Sequence, residues 1–160
     1  MHHKLVMTSN VVKAFSAMEE LFSRSQGEEG MALLYGRPGE GKTTCITALT
    51  NRFNGVFLRA NVTWTVTSML QAFMTELELE PVHYRAPMIE AAIEVLSADR
   101  RPIIIDEADY LLRQTDMLDA LRDIYDMTGV PVLMVMMEIA PRKIKTSQRL
   151  SRFRRRITQW

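Results

Sequence analysis

A chain of 160 residues with 47% hydrophobic and 24% charged content has the length and balance of one globular domain with a substantial core. No apolar run is long enough to span a bilayer, no signal peptide is visible, and the single Cys45 excludes an internal disulfide and fits a reducing compartment. The net charge of +1 conceals an asymmetry: residues 1–141 carry twelve basic and nineteen acidic residues, whereas residues 142–160 carry eight basic residues and no acid, which points to a polyanion or an acidic neighbouring subunit as partner.

In chain order, apolar residues at 11, 12, 15, 18, 21 and 22 predict a helix with Ser9 or Asn10 as its N-cap, followed by a polar loop to Gly30. His2 and His3 suggest no function. Residues 31–35 read as a short buried strand and residues 44–49 as a helix. The Asn54-Gly55 turn leads into a second strand over 56–61. Helices follow over 67–79, ended by Pro81, and over 87–98, where Pro87 suits a first turn. The β-branched run 103–105 is a buried strand, 115–127 a helix stopped at Thr128-Gly129, and 130–137 a fourth strand. A helix over about 145–155 and a fifth strand beginning at Ile157-Thr158 complete the pattern. Strands alternating with helices imply parallel crossovers and a sheet covered on both faces. The twelve methionines fall mostly at core spacing, and His83 and Tyr84 read as surface residues.

Two motifs carry chemistry. Gly36-Arg37-Pro38-Gly39-Glu40-Gly41-Lys42-Thr43 fits the phosphate-binding pattern G-x-x-x-x-G-K-[ST], between a strand and a helix. Its three glycines let the backbone curl its N–H groups toward phosphate oxygens, at a helix N-terminus whose dipole favours an anion. Gly36, Pro38, Gly39, Glu40, Gly41, Lys42, Thr43 and Thr44 are therefore the nucleotide-binding residues. Lys42 reaches the β- and γ-phosphates of ATP, and the Thr43 hydroxyl helps hold Mg2+. Downstream, Pro102-Ile103-Ile104-Ile105-Asp106-Glu107 is an apolar strand ending in two carboxylates at the edge where open α/β sheets bind ligands. Asp106 holds Mg2+ through water, and Glu107 polarises the water that attacks the γ-phosphate. A small-molecule kinase has no need of that second carboxylate, because its nucleophile is the substrate. Asp106-Glu107-Ala108-Asp109 spells the tetrapeptide of a helicase family that needs two domains in tandem. With room here for one, Asp109 reads as an accident of sequence or a cap on the following helix.

On the phosphate loop, the segment 104–111 and Leu150-Ser151-Arg152-Phe153, the chain resembles the AAA+ ATPases. More narrowly, it resembles the target-selection ATPases of transposable elements, the family of the phage Mu B protein. The resemblance covers residues 30–157. It implies an α/β P-loop NTPase of AAA+ type: a three-layer sandwich around a central parallel sheet, with residues 1–30 as an N-terminal helix and loop and 31–160 as the ATPase core. It also implies that the C-terminal helical lid is missing, since the chain stops at Trp160 where that lid should begin, by trimming or by natural shortening. No helix-turn-helix domain precedes the core. Ser151-Arg152-Phe153 is similar to the element whose arginine reaches the ATP of a neighbouring subunit, which makes Arg152 the arginine finger, with Arg149, Arg154, Arg155 and Arg156 close by. The family's fourth strand ends in a polar residue that orients water. Here Met137 takes that place, so either Glu138 substitutes or hydrolysis is slow.

The resemblance further implies a homo-oligomer, filament or ring, assembled with ATP on double-stranded DNA in the cytoplasm of a bacterium or phage-infected host. It would partner a transposase in DNA transposition. The DNA-contacting residues would be Thr63 and Thr65 in the loop 61–68, Arg59 on the preceding strand, and Arg149 and Arg154 in the tail. Trp64 either packs on the sugar-phosphate chain or belongs to the core. Two other readings are a helicase loader and a binding module in which nucleotide serves assembly with little hydrolysis.

Overall fold

The computed structural model of the chain describes residues 9–24, 30–39, 41–80 and 82–159. The elements in order are α1 (Ser9–Ser23), β1 (Met31–Gly36), α2 (Lys42–Phe53), β2 (Val56–Arg59), α3 (Val66–Glu76), α4 (Arg85–Ala98) and β3 (Ile103–Asp106). A 3-10 helix (Ala108–Arg113), α5 (Thr115–Thr128), β4 (Val132–Met137), α6 (Ala140–Thr146), α7 (Ser151–Arg154) and β5 (Ile157–Gln159) follow. The strands form one parallel sheet in the order β2-β3-β4-β1-β5. Every described crossover therefore passes over a face of the sheet, and the strand ends that carry the motifs collect along one edge.

Period-two alternation divides the core between two faces. Ala32, Ile104, Leu133 and Val135 pack against Val11, Met18 and Leu21 of α1 and Cys45, Ile46 and Leu49 of α2. Met31, Leu33, Ile103, Ile105, Val132, Met134 and Met136 pack against α3, α4, α5, α6 and α7 through residues that include Phe73, Leu96, Leu121, Ile144 and Phe153. The central strand β4 is buried over Val132–Met136, as expected of a strand covered on both sides. The result is the three-layer α/β arrangement that the alternation predicts.

Four local differences stand out. The tail helix predicted over 145–155 is two helices, α6 and α7. Pro141 opens α6 at its first turn, Ile144 anchors it, and Ser147 leaves helical geometry at φ −85, ψ 123. Leu150 and Phe153 then turn α7 onto the core as a separate piece. A 3-10 helix occupies 108–113, where no element was predicted. The fourth strand begins at Val132 rather than residue 130, since Pro131 lacks an N–H and its carbonyl receives the Ile103 N–H. The second strand ends at Arg59, although Ala60 N–H still reaches the Asp106 carbonyl. The predicted caps of α1 and the Pro81 stop lie outside the residues whose side chains are described.

Candidate nucleotide site

At the end of β1 the chain turns through Gly39 at φ +82 and Gly41 at φ +83. Both lie in the left-handed region open to glycine, and a Cβ at either position would meet nothing within 4 Å. The glycines are therefore required by backbone conformation, and the space beside them is open to a ligand. Gly41 is the N-cap of α2 and offers no side chain to its first turn. The N–H groups of Lys42, Thr43 and Thr44 thus have no acceptor within the helix and point along a dipole that favours an anion. Lys42 Nζ donates to the carbonyls of Gly36 (2.8 Å) and Arg37 (2.7 Å), which fixes the curl of the loop around its own ammonium. Thr43 is exposed in the first turn of α2. Glu40 lies outside the described residues.

The second arm is β3. Its last residue, Asp106, accepts the Glu107 N–H (2.8 Å) on Oδ1 and lies 3.4 Å from Arg59 Nη2 through Oδ2. Arg59 and Asp106 are direct partners in the β2–β3 register, so this ion pair follows from the pairing of the strands. Glu107 adopts φ 54, ψ 33, a left-handed conformation uncommon for a residue with a Cβ, and its side chain is exposed. That turn throws the chain from the strand into the 3-10 helix.

Between the two arms lies the tip of β4, with Gly36 paired to Met137. The Met137 N–H donates to the Asp109 carboxylate, 3.1 Å from one oxygen and 3.3 Å from the other. Arg37 Nε, in the phosphate loop, donates to Glu138 Oε2 at 2.9 Å. Asp109 is therefore neither an accident nor a helix cap: it receives the backbone of a strand 28 residues away. Glu138 stands over the phosphate loop. Neither contact was legible in the sequence, because both depend on strand register.

A loop of N–H groups, an ammonium, a hydroxyl and a carboxylate suit a nucleoside triphosphate with its cation. Thr43 and Asp106 are the residues that would hold Mg2+, its remaining ligands to come from phosphate and water. Among the described residues no group of three or more His, Cys, Asp or Glu side chains could hold a metal alone. A cavity of about 610 Å³ adjoins Gly41 and Lys42 beneath α1, lined also by Lys13, Met18, Tyr35 and Cys45. Burial there pushes the Cys45 thiol above its ordinary range.

The remaining predicted residues separate cleanly. Trp64 is 7% exposed and belongs to the core. The Thr63 hydroxyl and N–H both bond Asn61 Oδ1 (2.7 and 3.0 Å), and Thr65 forms a capping box with Ser68 at the start of α3. In the tail, Arg154 Nη1 donates to the Lys145 carbonyl, and Arg156 grips Asp126 with two nitrogens (2.8 and 2.7 Å). That hydrogen-bonded contact raises the Arg156 pKa further. The side chains of Arg149 and Arg152 are exposed and make no hydrogen bond or ion pair among the described residues, while the Arg152 carbonyl accepts from Arg156 Nη1 at 2.7 Å.

The sequence pattern of the AAA domain family matches residues 24–144. No curated protein matches the chain. Among solved structures, the Aeropyrum pernix ORC1 protein in complex with DNA is similar with a TM-score of 0.64 at 16% identity, over 94% of this chain and 44% of that one. C. elegans PCH-2 aligns with a TM-score of 0.49 at 16% identity, over 92% of this chain and 40% of that one. The chain thus spans less than half the length of either protein, and at this identity the first likeness is one of fold. Among the described residues no helix is long and apolar enough to cross a membrane.

Proposed function

The chain belongs to the AAA domain family, and from that membership we propose that it is an Mg2+-dependent ATPase that assembles on double-stranded DNA and hydrolyses ATP between subunits. The observation that carries this reading is the common edge of the sheet. The phosphate loop after β1 and the Asp106-Glu107 pair after β3 flank the tip of β4. Bound Mg·ATP supplies the phosphoanhydride bond to be broken. Lys42 and the amides of the loop hold its phosphates, while Thr43 and Asp106 hold the cation. Glu107 accepts the proton of the water that displaces ADP from the γ-phosphorus, and the preset N–H groups and ammonium stabilise the charge that develops. Arg152, exposed and uncommitted, extends to the γ-phosphate of the adjoining subunit.

The finer role is target selection in DNA transposition, with a transposase as partner. It is supported by the similarity of segment 104–111 and of Ser151-Arg152-Phe153 to the ATPases of transposable elements. DNA as ligand is supported by the basic tail, in which Arg149 and Arg155 stay exposed, and by the DNA bound to the structurally similar ORC1 protein. Arg59 is partly committed to Asp106, and the Thr63 and Thr65 hydroxyls to local bonds, so the tail is the stronger source of phosphate contacts. A second reading, nucleotide as a binder of subunits with little turnover, is favoured by the Met137 thioether where a water-orienting group belongs.

Sedimentation with duplex DNA, in ATP, ADP or no nucleotide and at two salt concentrations, tests the proposal. Large assemblies that need ATP and dissolve in salt are expected. Nucleotide binding with neither DNA association nor phosphate release would leave the second reading. Assembly without turnover would do the same.

A further inference from the structure

Asp109 and Glu138 have no part in the reaction as described, yet Asp109 holds the tip of β4 and Glu138, the residue after that tip, holds Arg37 of the phosphate loop. We propose that the two carboxylates position Glu107 against the phosphate loop, with Asp109 as the principal positioning residue. This rests on the hydrolytic reading above. Glu107 sits on a left-handed turn, the one point where the chain leaves β3 for the 3-10 helix. The turn itself is held from within by two bonds: Tyr110 N–H reaches the Glu107 carbonyl at 3.3 Å, and the Asp106 carboxylate receives the Glu107 N–H at 2.8 Å. Asp109, two residues on, adds a long-range polar restraint to the packing of Ala108 and Leu111 by accepting the Met137 N–H on both oxygens.

Met137 is the register partner of Gly36, and the next residue, Glu138, holds Arg37 of the phosphate loop. A continuous series of contacts therefore runs from the turn carrying Glu107, through Asp109 and the β4 backbone, to the loop that encloses the phosphates. The Met137 side chain can do little for a water molecule, but its N–H serves as the anchor of the series. The Arg37–Glu138 pair is largely solvent-exposed, at 74% and 55%, so its worth to folding is small and its consequence is geometric. Placement errors of about 1 Å in a catalytic group slow turnover by up to about a hundredfold, which makes such restraint consequential.

The test measures kcat and KM for ATP, together with the Kd of a fluorescent ATP analogue, for the full chain and for Asp109→Ala, Asp109→Asn and Glu138→Gln. In Asp109→Ala, kcat is expected to fall about ten- to a hundredfold while the analogue Kd stays within about threefold. Asp109→Asn, which keeps an acceptor oxygen for the Met137 N–H, should recover most of the rate. Glu138→Gln should lower kcat at unchanged Kd. An Asp109→Ala protein with undiminished kcat, or with kcat kept and Kd raised, overturns the inference while leaving the ATPase reading intact. Absence of turnover in the unaltered chain instead sinks that reading and this one with it. If Asp109→Ala fails to fold by circular dichroism, Glu138→Gln decides, because loss of an exposed pair does not unfold the protein, and an unchanged kcat there refutes the proposal.

Discussion

Glu107 holds a left-handed backbone that costs a residue with a Cβ about 1 kcal/mol, and the same residue is the proposed base. If the strain is retained for chemistry, stability and turnover should separate at this position. Glu107→Gly is expected to raise the urea midpoint by the equivalent of about 1 kcal/mol and to abolish phosphate release. Glu107→Gln should reduce kcat at least about a hundredfold with little change in either stability or ATP affinity. Lys42 differs in kind: its ammonium is held by two loop carbonyls until phosphate takes over, so Lys42→Ala should weaken ATP binding itself by about tenfold or more in a fluorescence titration. Cys45 provides a pH test. Because burial raises its pKa, the folded state keeps a proton that the unfolded thiol surrenders first. Stability from this group is therefore complete below the ordinary thiol pKa and declines as pH rises past it. Thermal melts through alkaline pH should show that decline, and Cys45→Ser should remove it.

At the scale of elements, what the sequence made legible and what it hid divide by the range of the interaction responsible. Four of the five strands were predictable from apolar runs, and the phosphate loop from its glycine spacing, because each is dictated by residues close in the chain; the fifth had only Ile157-Thr158 to mark its start. Trp64 was ambiguous from sequence, since a helix-capping threonine run and a phosphate-binding loop share a composition. The structure resolves it through burial and through the Thr65–Ser68 capping box. Thr65→Ala should therefore cost about 1 kcal/mol in a denaturation experiment, as loss of an N-cap does. The 3-10 helix and the break between α6 and α7 have no local sequence signal. Buried Ala108 and Leu111 hold the first, and Leu150 and Phe153, bound to the core rather than to a continuous stripe, set the second. The site was legible in its parts and illegible in its assembly. Asp106, Glu107, Lys42 and Thr43 could be read off, whereas the contacts of Asp109 with Met137 and of Arg37 with Glu138 exist only once β1, β3 and β4 are in register.

Across the whole molecule, the proposed nucleotide site lies along one edge of the sheet, while Arg152 sits on α7 beside Thr115, Leu118 and Asp119 of α5. Under the proposed reading, an acidic body and a basic tail would favour head-to-tail contact, which would leave each site incomplete without its neighbour. A guanidinium acting across an interface contributes about a thousandfold or more to turnover in phosphate-loop enzymes, so Arg152→Ala should be nearly inert while still binding ATP. Arg156→Ala should not share that phenotype, because Arg156 is committed to Asp126 and its loss should lower stability instead. Mixing makes the distinction sharp. Arg152→Ala retains Glu107, and Glu107→Gln retains Arg152, so a mixed assembly contains interfaces that combine an intact base with an intact arginine. Two inactive proteins combined with ATP and DNA are expected to regain phosphate release in proportion to such interfaces. If the mixture stays inert while each variant still co-sediments with DNA, Arg152 does not act between subunits. The residue completing the site would then have to be sought among Arg142, Arg149 and Arg155, the other tail arginines left exposed.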